Sequence, residues 1–161
     1  MAKQISAQKT ELAERHVLRL EFWGQLLDKA KSRTPLHADK SPAIGPWLGA
    51  SAGLNGLFYA YAIRRDNARI ELYIDQGDHE DNKRAFDTLY AHKDQIEKAF
   101  QHPLDWQRSD NQRSCRIRYL VSHRGLADQE HWPHLQEQMI DAMVQLSQAF
   151  QAEIQGLKHT D

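Results

Sequence analysis

A single cysteine, Cys115, excludes an internal disulfide and fits a reducing compartment. No apolar run approaches the ~20 residues that a bilayer span requires, and the opening MAKQISAQK has no apolar signal segment, so the expected address is the cytoplasm, with no membrane partner. Surplus charge of either sign is also missing. A formal net charge of −1 argues against a protein that coats nucleic acid through bulk charge. Chemical signatures are equally scarce: there is no phosphate-binding glycine loop, CxxC, HExxH or GxSxG. The candidate nucleophiles Ser41, Ser51 and Ser114 therefore lack an identifiable base, and Cys115 reads as core filling. His131 and His134 could share one helical turn, but the nine histidines as a set read as scattered surface residues, and no metal or cofactor is expected.

What remains is a folded composition, 40% hydrophobic and 27% charged, on 161 residues: enough for one domain with one core. Its clearest feature is the alternation over Ala68 to Asp75. Ile70, Leu72 and Ile74 fall on one face of an extended segment, and Arg69, Glu71, Tyr73 and Asp75 on the other. Cys115 to Val121 repeats the pattern, with Cys115, Ile117, Tyr119 and Val121 opposed to Arg116 and Arg118.

Leu57 to Arg64 reads as a further strand, joined through Arg65-Asp66-Asn67 to Arg69 to Asp75 as a hairpin. Leu104 to Arg108 and Ser114 to Val121 form a second hairpin around Ser109-Asp110-Asn111. Three stretches have helical periodicity. The first, from about Thr10 to Ser32, carries Leu12, Leu20, Trp23, Leu26, Leu27 and Ala30; the second follows an Asp78 N-cap and carries Phe86, Leu89, Tyr90, Ile96 and Phe100. The third begins near Trp132-Pro133 and carries Leu135, Met139, Met143, Leu146, Phe150 and Ile154.

The order is therefore α-β-β-α-β-β-α: an α+β fold in which two β-hairpins form an antiparallel sheet covered by three α-helices. Residues 1–161 are expected to be a single domain, with tails at 1–9 and 158–161 and a long loop over 33–56. Both long helices are expected to project beyond a small sheet, which favours a homodimer.

Charge is distributed unevenly. Over 57–75 and 104–121 there are seven arginines against five acids, a local surplus of +2 that leaves −3 for the remainder. If the hairpins are adjacent, Arg69, Glu71, Tyr73, Arg116 and Arg118 share one face. Spare guanidinium groups could then hold phosphate, while Tyr73 and Trp47 offer stacking surfaces and Lys40 a further cation from the loop. The bland alternative is a solvated face with cross-strand Glu–Arg pairs of ~0.2–1 kcal/mol. Glu71 and Asp75 also invite comparison with a Mg²⁺-dependent nuclease, but Tyr73 lies between them and no nearby lysine is available to activate water.

The run RIELYIDQGDHEDNKRAFDTLYAHKDQIEKAF, then PLDWQR and SCRIRY, with EFWGQLLDKA, Pro46-Trp47-Leu48 and Gly53 upstream, resembles a prokaryotic family known as domain of unknown function 4268. The resemblance covers roughly Leu20 to Phe150. Members of that family are often fused behind a restriction-nuclease-like domain, which implies a role near DNA or RNA, with a nuclease or other defence protein as partner. This chain opens with Met1 and is expected to lack that upstream domain. The resemblance brings no catalytic residues. The expected function is a non-enzymatic nucleic-acid-associated accessory module; the alternative is a protein-interaction or small-anion-binding module.

Overall fold

The structure, a computed structural model, describes residues 2–158; most of the expected C-terminal tail lies outside the described residues. The turn at Asp66-Asn67 closes β2 (Leu57–Ile63) onto β3 (Ala68–Ile74), with Arg64 N–H donating to Asn67 O at 2.9 Å. This is the first expected hairpin. The second joins β4 (Asp105–Gln107) to β5 (Cys115–Ser122). The two meet because β5 pairs antiparallel with β3, leaving the short β4 at an edge.

The expected loop over 33–56 contains another strand, β1 (Trp47–Ser51), which pairs with β2 and makes the sheet five-stranded in the order β1-β2-β3-β5-β4. Its sequence, WLGAS, hid the pattern because small residues blur the contrast between faces: Leu48 and Ala50 point into the core while Gly49 and Ser51 point out. Gly56, at φ +87°, turns the chain into β2, and a Cβ there would stand 2.6 Å from Gln76 Cα.

Among the described residues four α-helices form, rather than three. The helix expected through Phe100 divides into α2 (His79–Tyr90) and α3 (Lys93–Phe100). The break carries no capping side chain at His92, so the sequence holds no local signal for it. It reorients the second segment so that Phe100 meets Tyr119 of β5 edge-on, with centroids 4.9 Å apart. The Asp78 cap forms as expected, its carboxylate accepting from Asp81 N–H at 3.0 Å.

The remaining helices are α1 (Ala2–Ala30) and α4 (Trp132–Lys158), the latter preceded by a 3₁₀ turn at Gln129–His131. The whole expected seam of α4 is buried, and burial continues to Leu157, so the body covers the end that was expected to project. By contrast α1 starts at Ala2 and does project. Only Phe22, Trp23, Leu26, Leu27 and Ala30 are buried on it; Leu12 and Leu20, expected in the core, are exposed, as are Ile5 and Val17.

All four helices touch the same side of the sheet. Trp23 of α1 packs on Tyr61, Asn82 of α2 meets Cys115, Phe100 of α3 meets Tyr119, and Tyr59 O–H donates to Ser147 O of α4 at 3.5 Å. Among the described residues no helix is long and apolar enough to cross a membrane.

Among the described residues one histidine departs from the surface expectation. His37 is 2% exposed against Tyr61, and its Nε2 lies 3.0 Å from Tyr59 O. A carbonyl only accepts, so Nε2 carries the proton and the ring is neutral, while Nδ1 is buried without a partner. Burial lowers the pKa from 6.5 to about 4. Because the folded value is the depressed one, this contribution is complete above pH 6.5 and is lost as pH falls toward about 4. It should remove about 2–3 kcal/mol of stability between pH 7 and pH ~4.5. Urea midpoints at the two pH values should fall less in His37→Gln than in the parent; equal falls would show that His37 is not the group responsible.

Candidate functional site

With the helices on one side, strand alternation leaves the opposite face of the sheet to Trp47, Gly49 and Ser51 on β1, to Phe58, Ala60 and Ala62 on β2, and to Arg69, Glu71 and Tyr73 on β3. Arg116, Arg118 and Leu120 on β5 complete the face, with Asp105 and Gln107 on β4. The β3–β5 register sets Glu71 opposite Arg118 and Tyr73 opposite Arg116. The structure thus gathers Arg69, Glu71, Tyr73, Arg116, Arg118 and Trp47 on one face. Lys40 does not join them: it lies in the turn at His37, whose ring packs against Tyr61 on the helix side.

At the centre is Glu71, 2% exposed on a face that no helix covers. Its cover is side chains. Trp47 Nε1–H donates to Glu71 Oε1 at 2.8 Å, Arg118 Nε donates to Oε2 at 3.3 Å, and Arg116 Nη1 reaches Oε1 at 3.5 Å. The indole lies flat across Gly49, where a Cβ would stand 2.7 Å from Cζ3 of the ring. Only glycine at that position lets Trp47 reach the carboxylate. Phe58 and Tyr73 pack edge-on around the indole, with centroids 6.4 and 5.8 Å away, and Arg116 stacks over Tyr73 at 5.0 Å.

A comparison within the molecule shows how loosely these guanidinium groups are engaged. Arg113 grips Asp75 with two bonds, Nε to Oδ1 at 2.9 Å and Nη2 to Oδ2 at 2.7 Å, and this holds Asp75 down to about 2. That pair is closed. Arg116 and Arg118 each give one long bond to Glu71, leaving most of the five N–H donors of each group unspent. Arg69 makes no ion pair among the described residues and its Nε is buried without a partner. Burial, then Arg118 and Arg64, hold Arg69 below its ordinary value, and Glu71 opposes them. Three arginines around Glu71 leave a surplus of +2 at the centre of the face, which Asp105, opposite Arg118 on the edge strand, brings to +1.

The loop before β5 is fixed from beneath by two α2 residues that no sequence motif marks. Lys83, 3% exposed, donates to Arg108 O, Ser109 O and Ser114 O at 2.6, 2.9 and 3.0 Å. Asn82 donates to Arg113 O at 2.9 Å and accepts from Gln76 N–H at 2.6 Å. The available signal was a lysine on the buried side of an amphipathic helix, which persists only when its ammonium is fully bonded. Cys115 is buried beside this lysine, and burial pushes its thiol pKa up.

Glu71 and Asp75 are both occupied by arginine, so the carboxylate pair considered for Mg²⁺ is not a free one. Among the described residues no group of three His, Cys, Asp or Glu is placed to hold a metal. His131 lies in the 3₁₀ turn and His134 in the first turn of α4.

Fold and site define a small α+β domain with one helix-free sheet face that bears aromatics and a local excess of arginine. Residues 18–154 match the family model described as Domain of unknown function (DUF4268), and the chain belongs to that family. No curated protein and no solved structure matches it.

Proposed function

We propose that this protein is a non-enzymatic nucleic-acid-associated module that holds a single strand of DNA or RNA on its open sheet face. The observation that carries this reading is the trio Arg69, Arg116 and Arg118 around the one buried carboxylate of Glu71, with donors left over on a face that no helix covers. Such donors match phosphate oxygens, and Trp47, an exposed tryptophan at 37%, supplies a surface for a base. The near-neutral total charge makes this a local contact rather than a general affinity for polyanions. The fusion to nuclease-like domains that the family resemblance implies favours a role beside a nuclease or another defence protein.

A second reading rests on α1. Ile5, Leu12, Val17 and Leu20 are exposed on its projecting part, a surface suited to protein contact, including a homodimer. The two readings use different surfaces and do not exclude each other. Fluorescence anisotropy with labelled single-stranded and duplex oligonucleotides tests the first. Single strands should bind more tightly and lose affinity as salt rises; no binding to any oligonucleotide at low salt would overturn it.

A further inference from the structure

The arginine surplus does not stop at the sheet. Alternation along β2 puts residue 64 on the same side as Phe58, Ala60 and Ala62, so Arg64 extends the outer face past the end of the strand. Arg69 stands opposite Ala62 on the neighbouring strand. Beyond Arg64 the loop before β1 brings in α1. Pro46 O accepts from Ile63 N–H at 2.8 Å, and two residues earlier Ile44 O accepts from Arg19 Nη1 at 3.2 Å. Arg19 is therefore held at the end of β2 where Arg64 emerges, and Arg15 sits one helical turn away.

The electrostatics agree with this placement. Arg19 is lowered by burial and then by Arg15 and Arg64, and Arg64 acts in turn on Arg69. Arg19 Nε and Arg69 Nε are both buried without a partner. Among the described residues none of Arg15, Arg19, Arg64 or Arg69 forms an ion pair. The acids nearest in the chain are Glu11, Glu14 and Glu21 on α1, Asp66 in the turn, which accepts from Asn67 at 3.1 Å, and Glu71 on β3. Like charges gathered in this way repel unless an anion lies among them.

We infer that the arginines form one phosphate track, from Arg116 and Arg118 on the sheet through Arg69 and Arg64 to Arg19 and Arg15 on α1, and that its ligand is a linear chain of phosphates. The inference rests on the nucleic-acid reading above and adds length to it. Arg116 is in register with Tyr73, and Arg64 pairs with Asn67. Those partners are six residues apart along β3 and the residue before it, about 20 Å at ~3.3 Å per residue, too far for one phosphate or diphosphate to bridge.

Arg15 and Arg64 are exposed and make no side-chain bond among the described residues, so Arg15→Gln with Arg64→Gln should fold as the parent does, which circular dichroism would check. Binding of a dinucleotide, an oligothymidylate of about twelve nucleotides and inorganic polyphosphate would then be measured. The double variant should weaken the longer strand about ten-fold more than the dinucleotide and reduce its salt slope by about 1.4, at ~0.7 per phosphate contact. A matching loss for polyphosphate would support the track and show that bases contribute little. Binding of the long strand by the parent, with the same affinity and slope in the variant, would overturn the track and leave the sheet-face reading standing. Failure of the parent to bind any of the three would overturn both.

Discussion

Replacing Arg116 and Arg118 with glutamine while Glu71 stays in place should destabilise the fold by about 3–5 kcal/mol, the cost of a buried charge deprived of its partners. The Glu71 side chain is 3% exposed, and without these two guanidinium groups it would keep one hydrogen bond, from the Trp47 indole, and no ion pair, with Arg69 the remaining cation nearby. Adding Glu71→Gln to the same protein should restore most of the loss: a neutral amide needs no counterion, and its oxygen still accepts from Trp47. Urea denaturation of the parent, double and triple variants reads this directly. Equal stability of the double and triple variants would mean that the arginines do not compensate Glu71. The triple variant is also the proper control for binding, because reversing the arginines to glutamate would place two more negative charges beside a buried one.

Glu71→Gln alone should move stability and binding in opposite directions. Its arginines are partly hydrated, with side chains 34% and 21% exposed, so losing the carboxylate should cost only about 1–2 kcal/mol. Three arginines would then face the ligand without the carboxylate that sits among them. Affinity for a single-stranded oligonucleotide should rise about ten-fold, roughly 1.4 kcal/mol, with a steeper salt dependence. A carboxylate serving Mg²⁺ would give the reverse, loss of metal-dependent cleavage on neutralisation. Anisotropy titration paired with a cleavage assay separates the two; unchanged or weaker oligonucleotide binding would contradict the role of Glu71 as the anion that the ligand competes with.

The strands that carry the site were legible because their alternation is strict. Ile70, Leu72 and Ile74, and likewise Cys115 and Ile117, fix which side of each strand is buried, and so where Arg69, Glu71, Arg116 and Arg118 point. Their adjacency was not legible, since the pairing of β3 with β5 is a long-range choice that no local pattern records. The chemistry of Trp47 marks it in the sequence but its strand does not show, because Gly49 and Ala50 have little strand propensity; the edge strand forms because β2 offers it a partner. Lys40 was grouped with the site by charge alone, and the turn at His37 takes it to the other side. Leu12 and Leu20 had the right period for a core helix, yet period specifies a face and not whether anything covers it. Arg64 counts in the local surplus, but nothing in the sequence brings it near Arg19, because their proximity depends on a loop contact at Ile44 and Pro46.

The most direct test is the salt dependence of single-strand binding. Three phosphate contacts at Arg69, Arg116 and Arg118 predict a slope of log K against log salt near −2, or about a 10- to 20-fold loss between ~50 and ~200 mM. The contributions of Arg64, Arg19 and Arg15 would make the slope steeper. An affinity that is indifferent to salt would contradict the account, because a ligand held by these guanidinium groups through its phosphates must release counterions when it binds.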